Sequence, residues 1–147
     1  MPDAYTVALT LLSARELSET QLRARLTRRK LDPHDIDAAI ARLKHDGTLD
    51  DRRVAMALAR MESGIKHRGR ARVVQKVRQA GIDAEVAETA VREVFEDVNE
   101  DALLDRALER RLRGHSPRGL DERQRARIVR GLMAQGFRLE AILKRLQ

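Results

Sequence analysis

The sequence predicts an all-α protein built as three tandem three-helix repeats in an elongated, curved array. Three observations carry this expectation. Two apolar residues four apart, then a third five further on, occur as Leu22, Leu26 and Leu31, as Val73, Val77 and Ile82, and as Ile128, Leu132 and Phe137. The second copy lies 51 residues after the first, and the third 55 after the second. No segment sustains the period-two alternation of a half-buried strand, and helix start and stop signals recur in each copy. The predicted units are 1–49, 50–98 and 99–147.

In the first unit, Tyr5, Ala8, Leu9 and Leu12 form a stripe at helical spacing and define the first helix. Ser18 followed by Gln21 is a capping box that starts the second helix, which carries Leu22 and Leu26. The five-residue step to Leu31 joins the positions that touch around a helix end with a left-handed C′ residue. Lys30 stands at that C′ position. A side chain there costs about 1 kcal/mol, so this end is either slightly strained or capped differently. Asp32 before Pro33 is an N-cap with proline at N1, and the third helix runs through Ile36, Ile40 and Leu43 towards Gly47.

The second unit repeats the plan. Asp50 caps a helix carrying Val54, Ala57, Leu58 and Met61; Val73 and Val77 define the middle helix, which Gly81 ends; Asp83 caps a third helix with Ala87, Val91 and Val94. In the third unit Asn99 caps a helix carrying Leu104, Ala107 and Leu108, with Arg111 interrupting the stripe, Leu112 after it and Gly114 at its end. Ile128 and Leu132 form the middle helix, Gly136 is its C′ residue, and Ile142 and Leu146 form the last helix. Val77 is expected to touch Ile82, and Leu132 to touch Phe137. Middle and third helices in units two and three are expected to be joined by about two residues.

Composition narrows the function. Tyr5, Phe95 and Phe137 are the only aromatic residues, so no platform for stacking nucleobases is expected and OB-fold or RRM-type binders are disfavoured. There is no cysteine, no secretory pattern and no apolar run near the ~20 residues that span a membrane, which points to a cytoplasmic protein; a monomer is expected. The chain has 30 basic and 23 acidic residues, a net charge of +7. Basic residues concentrate in the middle-helix segments: 17–31, 70–82 and 115–131 carry +4, +4 and +3, whereas the third-helix segments 32–49, 83–98 and 132–147 carry −2, −5 and +2. Stacked units with their middle helices on one side would present a basic stripe to phosphates or to an acidic protein groove.

Signals for catalysis are weak. Gly64, Gly69 and Arg70 imitate phosphate-loop spacing, but arginine replaces the lysine, Ala71 replaces the magnesium-binding hydroxyl and no strand precedes the loop. His34, His45, His67 and His115 share no helix face at ligand spacing, and the runs Asp32, Asp35, Asp37 and Asp46, Asp50, Asp51 lack the glycine and late glutamate of a calcium loop. No enzyme activity, cofactor or metal is expected. Asp50 and Asp51 are assigned to helix capping.

The stretch from Ala8 to Glu19, continuing through Leu22 and Leu26, resembles the opening of the bacterial RecX regulatory proteins. Gly47-Thr48-Leu49-Asp50-Asp51, Arg53, Ala55, Gly69, Val73 and Gly81-Ile82 resemble that family's central signature, and Gly136-Phe137 its third-repeat ending. Val54 stands where the family usually has phenylalanine, Arg70 where proline commonly follows the glycine, and the segment Gly114–Leu120 lengthens the third unit. The resemblance implies tandem three-helix repeats lying in the groove of the RecA–DNA filament, a non-enzymatic modulator of RecA's ATPase, strand-exchange and coprotease activities in recombination, DNA repair and the SOS response.

The candidate partner- or DNA-binding residues are the basic positions of the middle helices: Arg23, Arg25, Arg28 and Arg29; Arg70, Arg72, Lys76 and Arg78; and Arg123, Arg125, Arg127 and Arg130. Arg52, Arg53, Lys66 and Arg68 are second-rank candidates. The implied partner is the RecA nucleoprotein filament, with weak non-specific binding to single- or double-stranded DNA. The alternative is a free-standing helical DNA-binding protein, a repressor or architectural factor, disfavoured by the short connection expected between second and third helices.

Overall fold

The computed structural model describes residues 3–147; residues 1 and 2, where the first predicted unit begins, lie outside the described residues. The helices are α1 (Ala4–Ala14), α2 (Glu19–Arg28), α3 (Pro33–His45), α4 (Asp51–Gly64), α5 (Arg70–Gln79), α6 (Ala84–Glu96), α7 (Glu100–Leu112), α8 (Glu122–Ala134) and α9 (Leu139–Leu146), with a 3-10 turn at Pro117–Gly119. Among the described residues there is no strand.

Local sequence sets the helix starts. The Ser18 side chain accepts from the Gln21 N–H while the Gln21 side chain accepts from the Ser18 N–H, closing the expected box. Asp32, Asp50, Asp83 and Asn99 accept first-turn N–H groups as expected. Two further caps were not anticipated: Asp3 at α1, and a second capping box of Asp121 with Gln124 at α8.

Each set of three helices closes over its own core. Leu22, Leu26, Ile36, Ile40 and Leu43 fill the first; Val73, Val77, Ile82, Ala87, Val91 and Val94 the second; Ile128, Leu132, Ile142 and Leu146 the third. The stripes of the middle and third helices are therefore as expected. Those of α1 and α4 hold in part: Ala8 and Val54 are buried and Tyr5, Leu12 and Leu58 pack against the cores, but Leu9 and Ala57 are exposed, and Ala4, Val7, Ala55 and Ala59 are buried instead. Both helices pack through small residues, so their faces follow the backbone's closest approach rather than the largest apolar side chains.

The units are bound to one another rather than strung on linkers. Leu103 of α7 joins the second core, and Phe137 packs against both the second and third. The accessible surface is 9713 Å², against about 7,600 Å² expected for a compact monomer of 16.7 kDa. That excess belongs to an elongated stack, in which each core is only three helices wide.

All three middle helices end on a residue of positive φ at C′, and α8 closes the fullest cap. The Gly136 N–H donates to Met133 O (2.9 Å) and the Phe137 N–H to Leu132 O (3.1 Å), the paired bonds of a Schellman cap. The Gly81 N–H reaches Arg78 O, and the Lys30 N–H reaches Thr27 O, both at 2.9 Å. Lys30 takes the left-handed conformation at φ 61°, which settles the two expectations for this end: it keeps the glycine geometry and carries the strain. Lys30→Gly is expected to raise stability by about 1 kcal/mol, read as a shift in the urea midpoint at unchanged slope.

Candidate functional site

The N-terminus of one middle helix sits on the C-terminal turn of the middle helix in the following unit, and this happens twice. At the start of α2, Ser18 Oγ donates to Ala80 O at 2.5 Å and Thr20 Oγ1 to Gly81 O at 3.0 Å, both at the end of α5. At the start of α5, the Gly69 N–H donates to Gln135 O at 2.8 Å, at the end of α8. The order α8, α5, α2 is thus one end-to-end row, with each helix's carbonyl end against the next one's amide end, an alignment their dipoles favour.

These junctions give the C′ glycines a second reason to exist. A Cβ on Gly81 would stand 2.5 Å from Thr20 Cβ, and one on Gly136 2.5 Å from Arg72 N. Lys30 ends α2, the last helix of the row, and its exposed side chain meets no docked unit. Only there is a Cβ tolerated. Asp51 also works at a junction: its Oδ1 accepts from the Glu19 N–H at 2.8 Å, so it caps α2 of the neighbouring unit while Asp50 caps α4. Burial pushes the Asp51 carboxyl up, and the bond from Glu19 opposes that rise.

The row carries the basic residues. Eight of the twelve candidates, Arg25, Arg28 and Arg29 of α2 and its end, Lys76 and Arg78 of α5, and Arg123, Arg127 and Arg130 of α8, have no ion pair and no side-chain hydrogen bond among the described residues. The other four are engaged. Arg23 is 2.5 Å from Asp37, Arg70 is 3.9 Å from Glu100, Arg72 donates to Gln75 Oε1 at 2.7 Å, and Arg125 donates to Leu146 O.

The second-rank positions are taken up within the fold. Arg52 pairs with Glu93 at 2.6 Å, and Arg53 reaches Glu16, Gly47 O and Thr48 O at 2.8–2.9 Å. Lys66 and Arg68 flank Glu62, whose side chain is 4% exposed, at 3.5 and 2.9 Å. Such a buried carboxylate needs its cations in place, which leaves neither free for a partner.

One basic residue of the row comes from outside it. The repeat offsets align Arg25 with Lys76 and with Gly131. The Arg111 guanidinium of α7 lies in the space a Cβ on Gly131 would occupy, held there by two bonds to Gln135 Oε1 at 3.0 and 2.8 Å. A positive charge therefore stands at this place in all three units. The residue that merely interrupts the apolar stripe of α7 in the sequence is the third member of the set.

Helix connections correct one expectation. The middle and third helices are separated by four residues in every unit, 29–32, 80–83 and 135–138, not by about two. Connection length does not separate these units from helix-turn-helix domains. Charge does: the third helix is the one that would enter a DNA groove, and α6 lies in a segment of net −5.

Among the described residues no group of three His, Cys, Asp or Glu side chains is placed to hold a metal, and no helix is long and apolar enough to cross a membrane. The glycines at 64 and 69 flank a helix connection, with α4 before it.

Residues 4–43 match the family profile described as the first three-helix domain of RecX, and residues 50–91 the profile of its second three-helix domain. A regulatory protein RecX of Trichlorobacter lovleyi is 30% identical over 143 residues, covering 95% of this chain and 91% of that protein. A regulatory protein RecX of Pelodictyon phaeoclathratiforme is 32% identical over 142 residues, covering 96% and 85%. The crystal structure of RecX from Lactobacillus salivarius has the same fold, with a TM-score of 0.83 at 19% identity over 97% of this chain and 94% of that one.

Proposed function

Because the chain belongs to the RecX family of non-enzymatic regulatory proteins, we propose that it regulates the RecA recombinase by lying along the groove of the RecA–DNA filament, lowering ATP hydrolysis, strand exchange and coprotease activity. The observation that carries this reading is the end-to-end row of α8, α5 and α2 with its unpaired basic side chains. A filament offers the same surface at every subunit. A row with a charge repeated in each unit suits a repeating surface, and several weak contacts held in one chain add up through effective concentration.

The working form is a cytoplasmic monomer that docks on RecA through Arg25, Arg28, Arg29, Lys76, Arg78, Arg123, Arg127 and Arg130, with Arg23, Arg70, Arg72 and Arg125 supporting the helices that carry them. Contact with bare DNA is weak, independent of sequence and steeply salt-dependent. The acidic third-helix segments of the first two units, −2 and −5, disfavour a free-standing repressor, which would prefer one duplex sequence by about 10³-fold or more. Co-sedimentation tests the proposal. The protein is expected to pellet with RecA filaments formed on DNA, and far less with RecA or DNA alone at physiological salt; equal recovery with naked duplex would move the assignment to a DNA-binding protein.

A further inference from the structure

We propose that the cleft between α7 and α8, which adjoins the middle-helix row and shares Arg111 and Arg127 with it, is a binding site for the phosphate groups of a nucleic-acid backbone. The cleft encloses about 560 Å³ and is lined by Arg106, Arg110, Arg111, Arg113, His115 and Arg127. No carboxylate lines it. Among the described residues none of its five arginines enters a salt bridge, although the chain has 23 acidic residues available. Concentrated, uncompensated guanidinium charge within one cleft calls for a polyanion.

The fold builds this cleft deliberately. The carbonyl end of α7 accounts for basic residues in its last turn, Arg110 and Arg111. It does not account for Arg127 facing them from α8, or for Arg113, which ends the helix at φ 51° and so holds a charged residue in a strained backbone conformation. Arg111 is fixed by its two bonds to Gln135, a neutral partner that orients the guanidinium without cancelling its charge. The remaining wall is an addition peculiar to the third unit. First and middle helices are joined by residues 15–18 in unit one and 65–69 in unit two, but by 113–121 in unit three, and that longer segment brings His115 and Leu120 to the cleft.

Ligand class follows from the lining. Arginine forks bind phosphate oxygens two at a time, and the apolar part of the wall is Ala107, Leu112, Leu120 and Ile128, with no Phe, Tyr or Trp and only the imidazoles of His67 and His115 as rings. The site reads backbone charge and not sequence. Arg127 belongs to both the cleft and the row, so a strand seated in the cleft continues along α8.

The test uses the full chain without RecA, so its outcome is independent of the filament reading. Anisotropy of a fluorescein-labelled 20-mer oligothymidylate is followed for the wild type, for Arg110→Gln with Arg113→Gly, and for Arg60→Gln with Arg92→Gln as an equal-charge control far from the cleft. Glycine suits the left-handed position 113, so the α7 cap survives, and circular dichroism checks the fold. The cleft variant is expected to bind about tenfold more weakly, with a log–log salt slope shallower by about 1.4, two single-strand phosphates at about 0.7 each. The control is expected to lose less than half as much, and poly-glutamate to compete poorly. Equal losses in the two folded variants, unchanged binding by the cleft variant, or competition by poly-glutamate as strong as by unlabelled oligonucleotide would each overturn the site.

Discussion

Gly136→Ala is expected to lower stability by about 3 kcal/mol, the sum of an unfavourable backbone conformation and an overpacked junction. The residue has φ +103°, and its Cβ would meet Arg72 N at 2.5 Å and Gly69 O at 2.7 Å, both backbone atoms that no rotamer change can move aside. From the other side, a Cβ on Gly69 would stand 2.6 Å from the carbonyl carbon of Gly136. Opening this contact removes the Gly69 to Gln135 bond and loosens Phe137, which serves two cores at once. A melting temperature lower by roughly 10 °C should result. Gly69→Ala, at an ordinary φ of −75°, should cost the overpacking part alone, about 2 kcal/mol, and the double variant less than the sum, because both break the same junction. Lys30 shows that a side chain is tolerated at φ 61° where no unit docks; Gly136 combines a φ of +103° with a docked neighbour, and both work against a side chain there.

Reversing one free charge on each helix of the row, Arg28→Glu, Arg78→Glu and Arg130→Glu together, should weaken action on the RecA filament by about 100-fold or more. Removing rim charges acts through long-range attraction as well as contact, so the loss should shrink as salt rises. All three side chains are exposed and without partners, and the fold should persist with only a few tenths of a kcal/mol lost where glutamate replaces arginine near a helix C-terminus. Arg72 is a poor choice for such a test. Its backbone lies against Gly136 and its side chain on Gln75, so a change there disturbs the junction as well as the charge. A folded triple variant with undiminished activity would remove the row as the docking surface.

Much of this architecture could be read from local pattern. The spacing Val77, Gly81, Ile82 and its counterparts describes one helix turn and its cap, which neighbouring residues determine by themselves, and the capping side chains other than Asp51 act within three residues of where they stand. What could not be read depends on segments from different units. The faces of α1 and α4 are decided by alanines, which carry little hydrophobic signal but allow the closest approach. Glu62 reads as a surface glutamate until the loop after α4 folds Arg68 over it. Gly69 and Gly136 are ordinary turn glycines in the sequence, and only the stack brings them together.

The candidate interface was legible to the same extent. Counting charge by segment isolates the middle helices, because their basic residues outnumber acids throughout. The same count conceals α7, whose segment 99–114 sums to zero with acids gathered at its start and arginines at its end. Nothing in the local pattern links Arg111 to Gly131, so the third unit's charge at that place emerges only in three dimensions.

The most direct test of the regulatory assignment is the rate of DNA-dependent ATP hydrolysis by RecA filaments, ideally from the same organism, as the protein is titrated in below one copy per RecA subunit. The expected result is a progressive fall in rate, with no hydrolysis by the protein alone and no fall with the triple charge-reversal variant. An unchanged rate at several-fold excess of folded protein would contradict the assignment.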